Sequence, residues 1–486
     1  MALRVLLASS EIAPFAKTGG LGDVCEAMPK ALKLLGAAPA LVMPLYRIVK
    51  KGGWGLTQVM EGLPVRIGGA EIKADLYQGR LTDEIPVFFI ERDEFFDRSY
   101  LYGTSKGDYV DNAERFSFFS CAVLALSKAL DQRWDIIHCH DWQTALIPVY
   151  LKALFADDPF FGMTRSVLTM HNIGYQGQFP AASFPGLGLP SRLFSVEGLE
   201  FWGKINFLKG GIVFADQVTT VSPTYAREIQ TPAFGYGLEG ILKDHAAKLI
   251  GILNGVDYAQ WDPEHDPYLE APYTRDALEG KARCKKALLA LCRLPETLTE
   301  RPLLGMVSRL ARQKGVDILC EVVERVMQAG AGMVVLGKGD QRYERLLVRM
   351  ARRYPQQMAV RIAFDESLAH RIEAGCDIYL MPSLYEPCGL NQMYSLRYGT
   401  IPVVRKTGGL ADTVVEVDLK KRNGTGFQFI DYHPDALWKA IANALQCFVD
   451  KELWQQLVQQ AMTQDFSWTR SAGEYLRLYE RLTRER

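Results

Sequence analysis

Several clusters of polar residues in this 486-residue chain stand directly after short apolar runs. That is where a parallel sheet presents side chains to a ligand. In Ser383-Leu384-Tyr385-Glu386-Pro387-Cys388-Gly389-Leu390, a carboxylate and a thiol flank a proline that stiffens the turn. Glu386 could hold sugar hydroxyls while amides near Gly389 hold a phosphate at the next helix start. The helix dipole alone would also favour a carboxylate there. Cys388 reads as a small buried side chain, because no neighbouring pair offers it a general base. Arg309 and Lys314, in Ser308-Arg309-Leu310-Ala311-Arg312-Gln313-Lys314-Gly315, put two cations at one strand-to-helix turn. A phosphate or diphosphate wants that provision; solvated surface charge is the plainer alternative. Asp141 ends the run His138-Cys139-His140-Asp141. It could bond ligand hydroxyls or cap a helix beginning at Trp142, and the residues leave both roles open. His171 follows another apolar run. His138 and His140 alternate on one strand face, but no third ligand stands nearby, so packing is the favoured reading and no metal is expected.

Two Gly-rich turns frame these clusters. Lys17-Thr18-Gly19-Gly20-Leu21-Gly22-Asp23 lies between the apolar run Val5–Ala8 and a helical pattern of Val24, Ala27, Met28, Ala31, Leu32 and Leu35. Strand, glycine loop and helix place backbone N–H groups and a positive helix end before an anion. A near copy, Lys406-Thr407-Gly408-Gly409-Leu410-Ala411-Asp412, follows Ile401–Val404. One such turn is a weak signal. Two near copies, one per half, suggest two related α/β domains serving one anionic ligand. A dinucleotide oxidoreductase would want a GxGxxG turn, but the first copy has Cys25 at the third glycine and the second breaks at Ala411.

The remaining elements must position these turns. Strands are expected at Leu41–Met43, Ile72–Tyr77, Pro86–Ile90, Ile136–His138, Ser166–Met170, Gln217–Val221 and Lys248–Leu253. Helices are expected over Asn112–Leu130, from Trp142, and over Lys204–Val213. A Pro-rich charged connection follows Asp257, helical around Ala277–Leu291. A second series starts at Leu303–Val307, and its strands Met333–Leu336, Val360–Ala363, Ile378–Met381 and Val403–Val404 alternate with helices. This alternation implies doubly wound parallel sheets. A final helix over Phe466–Arg486 carries an apolar stripe that must dock somewhere. The 56 basic and 56 acidic residues balance, which argues against a nucleic-acid surface. No apolar run approaches the ~20 residues of a membrane span. No signal peptide is read, and nine scattered cysteines without a CxxC pair fit a cytoplasmic protein.

The motifs together resemble the bacterial glycogen synthase and plant starch synthase family. Lys17-Thr18-Gly19-Gly20-Leu21, His140-Asp141-Trp142, His171-Asn172, Asn254-Gly255-Val256-Asp257, Ser308-Arg309-Leu310, Gln313-Lys314-Gly315, Glu386-Pro387-Cys388-Gly389-Leu390 and Thr407-Gly408-Gly409-Leu410 occur in that family's order across nearly the whole chain. The resemblance implies an α/β fold of two Rossmann-like, doubly wound domains with an interdomain cleft, the GT-B architecture. It implies an N-terminal domain over 1–254 on the glucan acceptor side and a nucleotide-sugar donor domain over 255–464. A C-terminal helix over 465–486 would pack back on the first domain. The implied reaction moves glucose from ADP-glucose to the non-reducing end of an α-1,4-glucan with retention, without cofactor, nucleic acid or membrane. UDP-glucose, another donor or acceptor on the same architecture, and a silent glucan-binding protein remain alternatives. By resemblance Lys17 contacts the donor, Arg309 and Lys314 neutralise the diphosphate, Glu386 holds the glucose, and Asp141 and His171 line the reacting centre. Phe364 falls where an aromatic residue faces the base. Gly19, Gly20, Asp23, Asn254, Cys388, Gly389, Leu390 and Thr407 complete the implied substrate contacts. Tyr394 stands where many related retaining transferases carry a second glutamate, a departure usual within this family.

Overall fold

The computed structural model describes residues 2–82 and 84–484. It divides into two compact units, Met1–Gly255 with Trp468–Arg486, and Val256–Ser467.

In the first unit, nine strands form one sheet. They are β1 (Arg4–Ala8), β2 (Ala38–Pro44), β3 (Thr57–Ile67), β4 (Ala70–Thr82), β5 (Ile85–Glu91), β6 (Ile136–His140), β7 (Arg165–Met170), β8 (Gln217–Thr220) and β9 (Leu249–Gly251). The order is β9-β8-β7-β6-β1-β2-β5-β4-β3. Pairing is parallel from β9 to β5 and antiparallel from β5 to β3. Val5, Leu6, Leu7 and Ala8 are fully buried. A strand covered on both faces needs that unbroken apolar run. Chain order reverses between β1 and β6, so the first unit has its switch point there, where open α/β sheets bind ligands.

The second unit's sheet contains β10 (Leu303–Val307), β11 (Gly332–Gly337), β12 (Met358–Ile362), β13 (Ile378–Met381), β14 (Ile401–Arg405) and β15 (Phe427–Phe429). The order β12-β11-β10-β13-β14-β15 is parallel throughout. Numbered within the unit this is 3-2-1-4-5-6, the Rossmann order, with its switch point between β10 and β13. Both units are therefore Rossmann-like.

Two expected helices start later than the sequence implied, and two segments carried no expectation. Strand β3 was not foreseen; it forms a hairpin with β4 through Gly68-Gly69, both at positive φ (57° and 79°), the conformation a two-residue hairpin turn demands. Much of β3 is exposed, so it lacks a continuous apolar run. Lys204–Asn206 is a short strand, and the helix expected there begins at Phe207, where Asn206 accepts a capping bond from Lys209 N at 2.9 Å. The helix expected from Trp142 begins at Leu146. Beyond the second Gly-rich turn, helices Pro434–Val449 and Lys451–Met462 fill a segment with no sequence expectation.

The C-terminal helix Trp468–Arg484 belongs to the first unit. Its stripe of Trp468, Ala472, Tyr475, Leu478, Tyr479 and Leu482 is buried, and it packs on the helix Gly20–Leu34. Among the described residues no helix is long and apolar enough to cross a membrane. All nine cysteines are free thiols.

Candidate active site

In the first unit, the chain leaves β1 into a loop held by a residue the sequence reading missed. Glu11 is 4% exposed. Its carboxylate accepts from Thr18 Oγ1 at 2.7 Å, Gly19 N at 3.3 Å, Tyr102 OH at 2.6 Å, and the Thr18 amide. Two backbone amides of the Gly-rich loop are thus fixed by one acid. Lys17, Thr18, Gly19 and Gly20 are exposed, and Lys17 Nζ lies 2.8 Å from Asp23 Oδ1. A Cβ added at Gly19 or Gly20 would meet nothing within 4 Å. A ligand can therefore reach this backbone.

Across the switch point, Asp141 follows β6. Its φ of 58° lies in the left-handed region, which costs energy for a non-glycine residue. It does not cap a helix, because the next helix starts five residues on. Instead Asp141 Oδ1 accepts the His171 amide at 2.7 Å, joining the ends of β6 and β7. Burial pushes its carboxyl up to about 7, and nearby Glu11 adds to this; amide bonds from His171 and Asn172 partly oppose it. His171 Nε2 stands 3.0 Å from His140 Nδ1. His138 bonds Tyr479 OH at 2.7 Å and Thr169 Oγ1 at 2.6 Å, so both its ring nitrogens are engaged by protein. Burial holds His138 and His171 down to about 3 and His140 well below its ordinary value. All three are neutral near pH 7. Asn254 is 7% exposed, with a buried Oδ1 that has no partner among the described residues.

In the second unit, the ends of β10 and β13 meet. Lys314 Nζ donates to Glu386 Oε1 at 2.9 Å and Oε2 at 2.7 Å, and Ser383 Oγ donates to Oε2 at 3.0 Å. Glu386's side chain is 7% exposed and Lys314's 22%. Lys314 is therefore the carboxylate's counter-ion as well as a cation at the turn. The turns are stitched by Leu384 N to Gln313 O at 2.8 Å and Gln313 Nε2 to Tyr385 O at 3.2 Å. Arg309 is exposed and bonds Gln313 Oε1 at 3.0 Å. A cavity of about 180 Å³ is lined by Ser308, Arg309, Lys314, Ser383 and Asn391, among others.

The second Gly-rich turn supports this site from behind. Gly409 N donates to Glu386 O and Pro387 O, each at 3.1 Å. Thr407 and Cys388 are buried. Gly389 lies against the Gln392 side chain, and Leu390 precedes the helix Asn391–Arg397. Tyr394 stacks flat on Trp261, ring centroids 3.9 Å apart. Phe364 is 83% exposed in the loop after β12, the edge strand, and among the described residues no hydrogen bond or ring contact brings it to the ion pair.

The unit-by-unit geometry agrees with the family comparisons. The starch synthase catalytic domain model matches residues 4–244, and the glycosyl transferases group 1 model matches residues 295–463. A glycogen synthase of Koribacter versatilis is 48% identical over 479 residues, covering 99% of this chain and 98% of that one. A glycogen synthase of Syntrophotalea carbinolica is also 48% identical, covering 99% of each. The catalytic domain of starch synthase IV from Arabidopsis thaliana, bound to ADP and acarbose, has a TM-score of 0.89 at 34% identity, covering 99% of this chain and 100% of that one. Two Rossmann-like units with charged turns at their switch points, matched by these domain models, define a glycosyltransferase. At this identity over its whole length, the chain belongs to the glycogen synthase family.

Proposed function

We propose that the chain transfers glucose from ADP-glucose to the non-reducing end of an α-1,4-glucan such as glycogen, with retention at the anomeric carbon. The observation that carries this reading is the partly buried Lys314–Glu386 pair at the second unit's switch point, with Arg309 beside it. Glu386 is held by two donors and retains acceptor capacity for sugar hydroxyls. Arg309 and Lys314 stabilise the charge that develops on the departing diphosphate, in a site already organised before reaction. In the first unit, Lys17 and the amide of Gly20, beside the exposed backbone of Gly19, bind an anionic group of the donor, with Asp23 holding the lysine. Asp141, when ionised, stabilises positive charge developing at the anomeric carbon, and His171 contacts the sugar. Asn254 offers its unpartnered oxygen to a ligand N–H or O–H. Phe364 supplies a face for the base; Cys388, Gly389, Leu390 and Thr407 shape the donor pocket. The ADP bound to the Arabidopsis relative supports adenine as the base.

The test is incorporation of label into glycogen by purified protein, with ADP-glucose and UDP-glucose compared. Incorporation from ADP-glucose, released as maltose by β-amylase, is expected. Exclusive use of UDP-glucose would overturn the donor assignment, and no incorporation from either would overturn the reaction. Because Arg309 and Lys314 supply the leaving-group charge, turnover should persist in excess EDTA; abolition with rescue by Mg²⁺ would show that a metal carries it.

A further inference from the structure

His138, His140 and His171 stand in a row of rings at the ends of β6 and β7. His138 is locked between Tyr479 of the C-terminal helix and Thr169 of β7. Its ring lies 4.3 Å from that of His140, centroid to centroid, tilted by 31°. His140 is 0% exposed and, among the described residues, bonds through one nitrogen alone: Nδ1 meets His171 Nε2, while Nε2 is buried without a partner.

Two neutral imidazoles can share one N–H···N bond in two ways. If His171 donates from Nε2, then His140 carries its own proton on Nε2, an N–H sealed away from any acceptor. If His140 donates from Nδ1, its Nε2 is a bare lone pair and His171 carries its proton on Nδ1. A buried N–H without an acceptor is the rarer defect, and leaving it unsatisfied costs its full desolvation. The second arrangement is favoured. Burial keeps both rings neutral, so the choice persists across the working pH range.

We infer that His140 is a positioning residue that fixes His171 as the Nδ1-protonated tautomer, so that His171 presents an N–H donor to the transferred sugar. This rests on the reading of His171 as a site residue. His171 is half-buried and bonds His140 through Nε2, so Nδ1 is the nitrogen left for substrate. It donates to a sugar oxygen and cannot act as a base.

Nitrogen-15 NMR of the full-length wild-type protein, with His171 assigned by a His171→Asn variant, reads the tautomer directly. A proton on Nδ1 is expected, and a proton on Nε2 overturns the inference. In kinetics, His140→Phe should lower kcat by about ten- to a hundredfold, below the loss typical of removing a preorganised donor itself, with donor KM little changed. His140→Asn, whose amide nitrogen can take the place of Nδ1, should recover much of that loss. His140→Phe with His171→Ala should be no slower than His171→Ala alone, since both act through one group. Additive losses, or a harmless His140→Phe beside a damaging His171→Ala, overturn the inference. A harmless His171→Ala instead removes the site reading beneath it.

Discussion

The two Gly-rich turns differ little in sequence and do opposite jobs. At Lys17-Thr18-Gly19-Gly20, the glycines are exposed, nothing crowds them, and the loop is held by Glu11 from beneath. At Lys406-Thr407-Gly408-Gly409, a Cβ on Gly408 would fall 1.9 Å from Glu386 O, and one on Gly409 1.9 Å from Cys388 O. Gly408 also has a φ of 45°. There the missing side chains make room for the protein's own backbone. The first turn is open to a ligand, while the second props the turn that carries Glu386. Similar motifs thus mark similar places in two Rossmann-like units without marking similar contacts.

The largest effect should come from crowding the prop. Gly409→Ala must displace the Cys388 carbonyl, and backbone cannot yield as a flexible side chain can. A loss of about 3 kcal/mol or more is expected, at the upper end of overpacking effects, together with loss of turnover. Chemical denaturation checks it; an unchanged midpoint would remove the distinction between the turns. Next is the ion pair that the prop supports. Lys314→Ala leaves Glu386 buried without its cation; because Lys314 is itself partly exposed, a loss of about 2–3 kcal/mol is expected, below the range for a fully buried pair, and turnover should fall by two to three orders of magnitude. Lys314→Met with Glu386→Gln should regain much of the stability and none of the activity. Recovery of activity in the double variant would show that the pair serves the fold alone.

Much of the scaffold was legible because buried parallel strands require continuous apolar runs, as in Val5–Ala8 and Leu303–Val307. The candidate turns were legible because such sheets present ligands at strand ends. What escaped depends on partners far along the chain. Glu11 matters because Tyr102, ninety-one residues on, converges with Thr18 on its carboxylate. Strand β3 is half-exposed and irregular, with register shifts against β4. Asp141 carries a helix-capping signature, yet its left-handed backbone sends the carboxylate to the His171 amide. The buried packing of Gly408 and Gly409 could not be read from a motif that is exposed in its first copy.

The open turn depends on its support. Glu11→Gln can keep an oxygen on the Thr18 and Gly19 N–H groups but sets an NH2 against the Thr18 and Tyr102 hydroxyls, which both donate to that position in the wild type. A loss of about 1–3 kcal/mol is expected, with a raised donor KM; unchanged donor KM would show that the loop's shape does not matter to binding. Asp141, beside Glu11, should give a pH-dependent effect. Its folded pKa of about 7 lies above the unfolded value. The native state therefore holds the proton more tightly, and this contribution to stability is full below about pH 4 and lost as pH rises to 7. Asp141→Asn should flatten the stability profile over that range. Turnover of the wild type should rise through pH 7 as the carboxylate ionises, and the variant should lose that rise; a shared inflection would assign it to another group.

The smallest effect on the fold should come from Gly19→Ala, and it is the sharpest test of the comparison. Gly19 has φ −165°, an extended backbone that alanine adopts readily, and a methyl there would touch no protein atom. Stability should change by no more than about 0.5 kcal/mol, as for surface positions without special features. Lys17→Ala should be nearly as mild, because the exposed Lys17–Asp23 pair is of a kind worth about 0–1 kcal/mol. If a donor anion approaches this backbone, the methyl intrudes on it and the lost ammonium no longer attracts it. Both variants should then raise donor KM or lower turnover at unchanged unfolding midpoints. The same substitution at Gly409 should destroy stability and activity together. If Gly19→Ala and Lys17→Ala leave donor kinetics untouched, the first turn is open for want of a neighbour and not for a ligand, and the anion contact must be sought elsewhere in the chain.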